Sequence, residues 1–230
     1  MSFVPSLRLV RTAAIALLLV SVPLAATPAS AATSLAAASS AHVYLLRGVL
    51  NIFSLGLDDI AERLRAQGIP VTIANFISWS SLADEAAAEY RSGRTKTIIL
   101  VGHSSGATAL PDMVARLTEL GTPVQLAIGL DSVFRTSLNG RVGKYINFYV
   151  ANGAGTPVAK GGSFQGSLEN VNVQDVPGVG HLTIEKNQIM QQTVISAIDA
   201  VVFSRGNGIQ RSSSQAMVTR RGPRTAAVRN

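Results

Sequence analysis

Residues 97–101 (TIILV) constrain the fold of this chain more than any other segment. Five aliphatic or β-branched residues stand together without polar alternation, so a strand built from them has no face to offer water. Such a strand belongs in the middle of a sheet covered on both sides. The segments around it agree. Residues 42–46 (HVYLL) read as a strand that stops before Gly48, and residues 54–67 place Leu57, Ile60, Ala61 and Leu64 on one helical face ahead of the stop at Gly68. Residues 70–76 read as a strand and 82–92 as a helix bearing Asp84, Glu85 and Glu89. Residues 107–120 read as helical, in two pieces because Pro111 disturbs a helix interior. Strands at 124–130, 145–150 and 170–176 follow, then a terminal helix over 184–203. This alternation predicts an α/β fold with a mainly parallel sheet of about six strands and helices on both faces. Ligands of such sheets bind beyond the carboxyl ends of the strands.

Immediately after residues 97–101 comes Gly102-His103-Ser104-Ser105-Gly106, a G-x-S-x-G sequence. The motif is short, and it gains weight here from a buried strand before it and a helix after it. A sharp strand-to-helix turn exposes the serine hydroxyl, and glycines on either side keep the turn free of collisions. A serine hydroxyl is a weak nucleophile until a base takes its proton. The candidate base is His181, in the Gly/Pro-rich stretch VPGVGHL (176–182) past the last strand. Of the other two histidines, His103 is expected to support the turn, and His42, opening the first strand, to be structural.

A carboxylate must orient that imidazole. Asp131 follows an apolar run and gives the order Ser…Asp…His. Asp175, beside the histidine loop, is its rival, while Glu185 and Asp199 are expected on the terminal helix facing solvent. The oxyanion of acyl chemistry needs two backbone donors, expected from the N–H groups of Ser105 and of Val49 in the loop after the first strand. This reading calls for no cofactor. With no cysteine in the chain, disulfides, thiolate zinc sites and dithiol redox chemistry are excluded, and three histidines give little basis for a metal centre.

The net charge of +7 is a property of the ends. Residues 33–203 carry 12 basic and 13 acidic side chains, while the excess arginines lie at Arg8 and Arg11 and beyond residue 204. A near-neutral middle argues against a nucleic-acid groove. Residues 1–31 read as a secretory signal: two arginines, an apolar run broken by Pro23, then Ala29-Ser30-Ala31 as cleavage site. Residues 32–203 read as the catalytic domain, and 204–230 as a basic disordered tail whose one suggested contact is an anionic surface or membrane. The expected location is therefore outside the bacterial cytoplasm, periplasmic or secreted.

The LLRG loop, the VGHSSGA turn, GLDSVF and GVGHLTI, in that order, resemble the α/β-hydrolase superfamily over residues 42–203, especially its small bacterial lipase-, esterase- and thioesterase-like members. The resemblance implies a minimal domain without a cap. It also implies hydrolysis of a small acyl ester, or of a thioester, through an acyl-serine, with Ser104, Asp131 and His181 in the catalytic roles. Acyl transfer would use the same residues, and a non-catalytic binding protein could retain the same fold. The chain departs from the family at Arg47, where many members have histidine before the glycine. Its acid after the strand next to the nucleophile strand is a minority placement, which keeps Asp175 open. Loops 134–144 and 151–169 would border an open site, with Phe134 and Phe164 as candidate acyl contacts.

Overall fold

A computed structural model describes the backbone of residues 29–49 and 54–219, and the side chains of residues 31–49 and 54–204. The expected export signal lies outside the described residues except for Ala29–Ala31, and so does the last part of the tail. In chain order the elements are α1 (Ala29–Ser39), β1 (Ala41–Arg47), α2 (Gly56–Ala66), β2 (Val71–Asn75), α3 (Trp79–Arg91), β3 (Thr97–His103) and α4 (Ser105–Glu119). There follow β4 (Val124–Leu130), β5 (Ser137–Leu138), β6 (Arg141–Tyr149), β7 (Ala159–Lys160), β8 (Gln165–Asn172) and α5 (Gln188–Thr219).

Six strands form one sheet in the order β2-β1-β3-β4-β6-β8, every neighbouring pair parallel, while β5 and β7 pair separately. All seven residues of β3 are buried, as its composition predicted. Val43, Leu45, Ile99 and Val101 pack with Leu57, Ile60 and Leu64 of α2 and with Val194, Ile195 and Ile198 of α5. Their alternates Tyr44, Leu46, Ile98 and Leu100 pack with Leu82 and Ala86 of α3 and with Leu110, Met113 and Leu117 of α4. Each large apolar side chain so buried contributes about 1.5–3 kcal/mol.

Several elements differ from the sequence reading, β6 among them, which begins at Arg141 and not at 145. Helix α4 is unbroken through Pro111. The proline forfeits one helical hydrogen bond, a penalty on the order of 3 kcal/mol, which burial of the face carrying Leu110, Met113, Val114 and Leu117 outweighs. The last strand covers Gln165–Asn172 and not 170–176. As an edge strand with mostly exposed side chains it carries no apolar run, whereas Val173 and Val176 pack against the core from the loop beyond it. Helix α5 starts at Gln188, because the Asn187 side chain accepts from the N–H groups of Ile189 and Met190 and so caps it. Glu185 therefore precedes the helix. The same helix continues past Phe203 to Thr219, so part of the segment expected to be disordered is helical. A helix already anchored by Val194, Ile198 and Val202 propagates at little cost. Helix α1 and the β5–β7 pair were not foreseen. Among the described residues, no helix is long and apolar enough to cross a membrane.

Candidate active site

From β1 the chain moves outward to β2, then crosses back to β3 and proceeds the other way through β4, β6 and β8. The direction reverses between β1 and β3, and a crevice opens at such a point beyond the strand carboxyl ends. Register does the rest. Leu46 pairs with Gly102 and His103 pairs with Leu130, so the residues that follow, Ser104 and Asp131, emerge side by side.

Ser104 has φ 58° and ψ −122°. It and Asp131, at φ 55°, are the two non-glycine residues with positive φ among those described. Such backbone costs about 1–3 kcal/mol and persists only where its surroundings enforce it. Here Ser104 N–H donates to Leu130 O at 3.0 Å, and Ser104 O accepts from Thr108 N–H at 3.0 Å. The flanking glycines are required sterically. A Cβ on Gly102 would lie 2.5 Å from the Gly106 backbone, and one on Gly106 would lie 2.0 Å from Leu46 O.

Ser104 Oγ lies 3.1 Å from His181 Nε2, and His181 Nδ1 lies 2.7 Å from Asp131 Oδ2. A carboxylate only accepts, so Nδ1 carries the proton and Nε2 is left to accept from Ser104. Asp131 is fully buried, and its Oδ1 accepts from Val150 N–H at 2.7 Å. Its second oxygen is thereby held for the imidazole. Gly155 closes over it, since a Cβ there would fall 1.7 Å from Asp131 Oδ1. Asp175 is exposed in the loop after β8, and Asp131 occupies the place beside the histidine.

Ser105 opens α4, where N–H groups have no intrahelical acceptor. In the loop after β1, Gly48 N–H donates to Ser54 Oγ at 3.1 Å, which leaves the N–H of exposed Val49 as that loop's next donor. The loop presses on the serine: a Cβ at Gly48 would stand 3.0 Å from Ser104 Cβ. Arg47 donates to Asp58 in the first turn of α2.

Three residues beneath the site carry more than the sequence suggested. His103 is buried, with Nδ1 2.8 Å from Ser54 Oγ and Nε2 2.8 Å from His181 O. Burial is the main cause that pushes its pKa down to about 4. Ser54 is buried beside it. Glu185, expected at the surface, is fully buried, has no hydrogen-bond partner for either carboxyl oxygen, and is pushed up in pKa by that burial. Asp199 is likewise half-buried and raised by burial. No local pattern announces the burial of Ser54 and Glu185, because both lie in loops, which carry no periodicity.

Exposed large hydrophobic residues collect at the same edge. Val49, Leu55, Ile77, Phe134 and Leu182 lie in or beside the segments that follow β1, β2 and β4 or flank His181, and Phe134 is 66 % exposed. Phe164 instead packs against the core on the α3–α4 side. Among the described residues, no group of three or more His, Asp or Glu could hold a metal ion. No family model matches the chain and no curated protein matches it in sequence.

Proposed function

We propose that this protein is a serine hydrolase of the α/β-hydrolase type that cleaves acyl esters through an acyl-serine. The observation that carries this reading is a serine in left-handed backbone at a strand-to-helix turn, with its hydroxyl on an imidazole that a buried carboxylate orients. In the reaction Ser104 Oγ attacks the ester carbonyl while His181 Nε2 takes the hydroxyl proton. Asp131 stabilises the resulting imidazolium without itself taking a proton. The N–H groups of Ser105 and Val49 receive the charge on the carbonyl oxygen, each worth about 2.7–4 kcal/mol in comparable sites. His181 then protonates the departing alcohol, and a water molecule activated by the same nitrogen releases the acid.

The apolar rim of Val49, Ile77, Phe134 and Leu182 supports an acyl group over a charged or peptidic substrate. A thioester would meet the same groups. Export, expected from the first 31 residues, would place this activity in the periplasm or outside the cell.

Labelling with a fluorophosphonate, which reacts only with an activated serine, tests the reading. Wild type should be labelled, and Ser104→Ala and His181→Ala should not. A panel of p-nitrophenyl esters of rising chain length then reads the acyl preference. A folded wild-type protein that resists the reagent sinks the hydrolase assignment and leaves a binding protein on this fold.

A further inference from the structure

We propose that His103, acting with Ser54, is a positioning residue that ties the oxyanion loop after β1 to the loop of the catalytic histidine. The inference rests on the hydrolase reading and concerns what holds its donor and its base in register.

The hydrogens of this cluster can be assigned in only one way. His181 O is a carbonyl and accepts, so His103 Nε2 must carry the hydrogen between them at 2.8 Å. His103 is held uncharged by its burial, and a neutral imidazole has one N–H. Its Nδ1 is therefore bare and accepts from the Ser54 hydroxyl at 2.8 Å. The Ser54 oxygen, having donated, accepts from Gly48 N–H at 3.1 Å. A single directed chain thus runs from Gly48 N–H through Ser54 and His103 to the backbone carbonyl of His181. It fixes the peptide next to the expected Val49 donor and, at its far end, the main chain of the base.

The surrounding charges do not divert it. Glu185 Oε2 lies 3.7 Å from His103 Nε2, too far to take the hydrogen. Burial drives that carboxyl up in pKa and the imidazole down, both towards the uncharged forms. Lys186 Nζ lies 3.5 Å from Glu185 Oε1 and 3.3 Å from Leu182 O, and its positive charge adds to the burial that keeps His103 unprotonated. Asp131 is spent on His181 and Val150. A filler of this space would be apolar, since a buried imidazole is tolerated only when both nitrogens are partnered. Here both partners belong to catalytic loops.

Full-length Ser54→Ala, His103→Phe and the double variant test this, by fluorophosphonate labelling rate and by kcat and KM on p-nitrophenyl butyrate, per folded molecule. Outright loss of an oxyanion donor costs about 100- to 1000-fold in kcat; loosening one should cost less. We expect kcat to fall roughly tenfold in Ser54→Ala and about 10- to 100-fold in His103→Phe, with KM within about twofold. The double variant should be no worse than His103→Phe, because both changes cut one chain. Unchanged kcat in folded Ser54→Ala, or losses that multiply in the double variant, overturns the proposal. Should His103→Phe fail to fold, Ser54→Ala decides alone. A wild-type protein inert to the reagent removes the hydrolase reading and this role together, whereas reactive wild type with indifferent variants removes only this role.

Discussion

At the carboxyl edge of the sheet a hydroxyl, an imidazole and a carboxylate stand in line as Ser104, His181 and Asp131. Towards the opposite edge Thr72, His42 and Glu89 repeat that line, with Thr72 Oγ1 2.9 Å from His42 Nε2 and His42 Nδ1 2.7 Å from Glu89 Oε2. By distance the two relays are interchangeable. By context they are not. Thr72 sits within β2, paired in register with Tyr44, with no helix starting behind it to supply free N–H groups. Glu89 also accepts from Tyr44 OH at 3.0 Å and Thr95 Oγ1 at 3.1 Å, and His42 stacks on Tyr44 at 4.2 Å. The second relay is a knot that fastens α3 to β1 and β2. A hydrogen-bonded triad is thus weak testimony by itself; the strained serine, the helix N-terminus behind it and the apolar rim are what set the first apart.

Four measurements distinguish the two relays. Asp131→Asn should lower kcat about 1000- to 10,000-fold by admitting the wrong imidazole tautomer, with folding checked by circular dichroism. The same exchange at Glu89 should leave kcat within about twofold, and an equal loss in Glu89→Gln would erase the distinction.

Acid unfolding separates the two regions by pH window. His103 binds a proton at about 4 in the fold against an ordinary 6.5, so its stabilisation is complete above 6.5 and drains away as pH falls towards 4. That change is on the order of 3 kcal/mol. For Glu89, burial alone would raise the pKa, but the His42 hydrogen bond and charge, with Tyr44 and Thr95, bring it below its ordinary 4.5. Its contribution is present above 4.5 and is lost only below that value. Denaturant titrations at stepped pH should show the upper window vanish in His103→Phe and persist in Glu89→Gln.

Smaller still, Glu89→Gln should reduce stability by about 1–3 kcal/mol as buried donors lose a charged acceptor, read as a lowered Tm with turnover intact. Least of all, Thr72→Val should cost no more than ~1 kcal/mol and leave labelling by the fluorophosphonate unchanged.

Much of this was legible in residue order. The unrelieved apolar run of β3 dictated a central strand, and Gly102 and Gly106 around Ser104 dictated the turn that the structure shows. The apolar residues before it and the order Ser…Asp…His already favoured Asp131 over Asp175, and it is Asp131 that lies 2.7 Å from His181 Nδ1. Strand β8 stayed hidden because an exposed edge strand needs no hydrophobic pattern, and Val173 and Val176 drew attention to the wrong stretch. Glu185 and Ser54 were invisible for a related reason. Their burial is imposed by other segments closing over them: the backbone at Glu185 lies so near α2 that a Cβ on Gly56 would strike Glu185 O at 2.2 Å.

Because His181 lies near the end of the described domain, on the loop that leads into α5, the order of synthesis matters. A chain emerging from the ribosome presents Ser104 and Asp131, just after β3 and β4, well before the imidazole that both of them contact. Parallel sheets form through distant pairings and form slowly, and His181 follows β8 in the chain. On the proposed hydrolase reading, a nascent chain that has not yet supplied His181 is chemically silent.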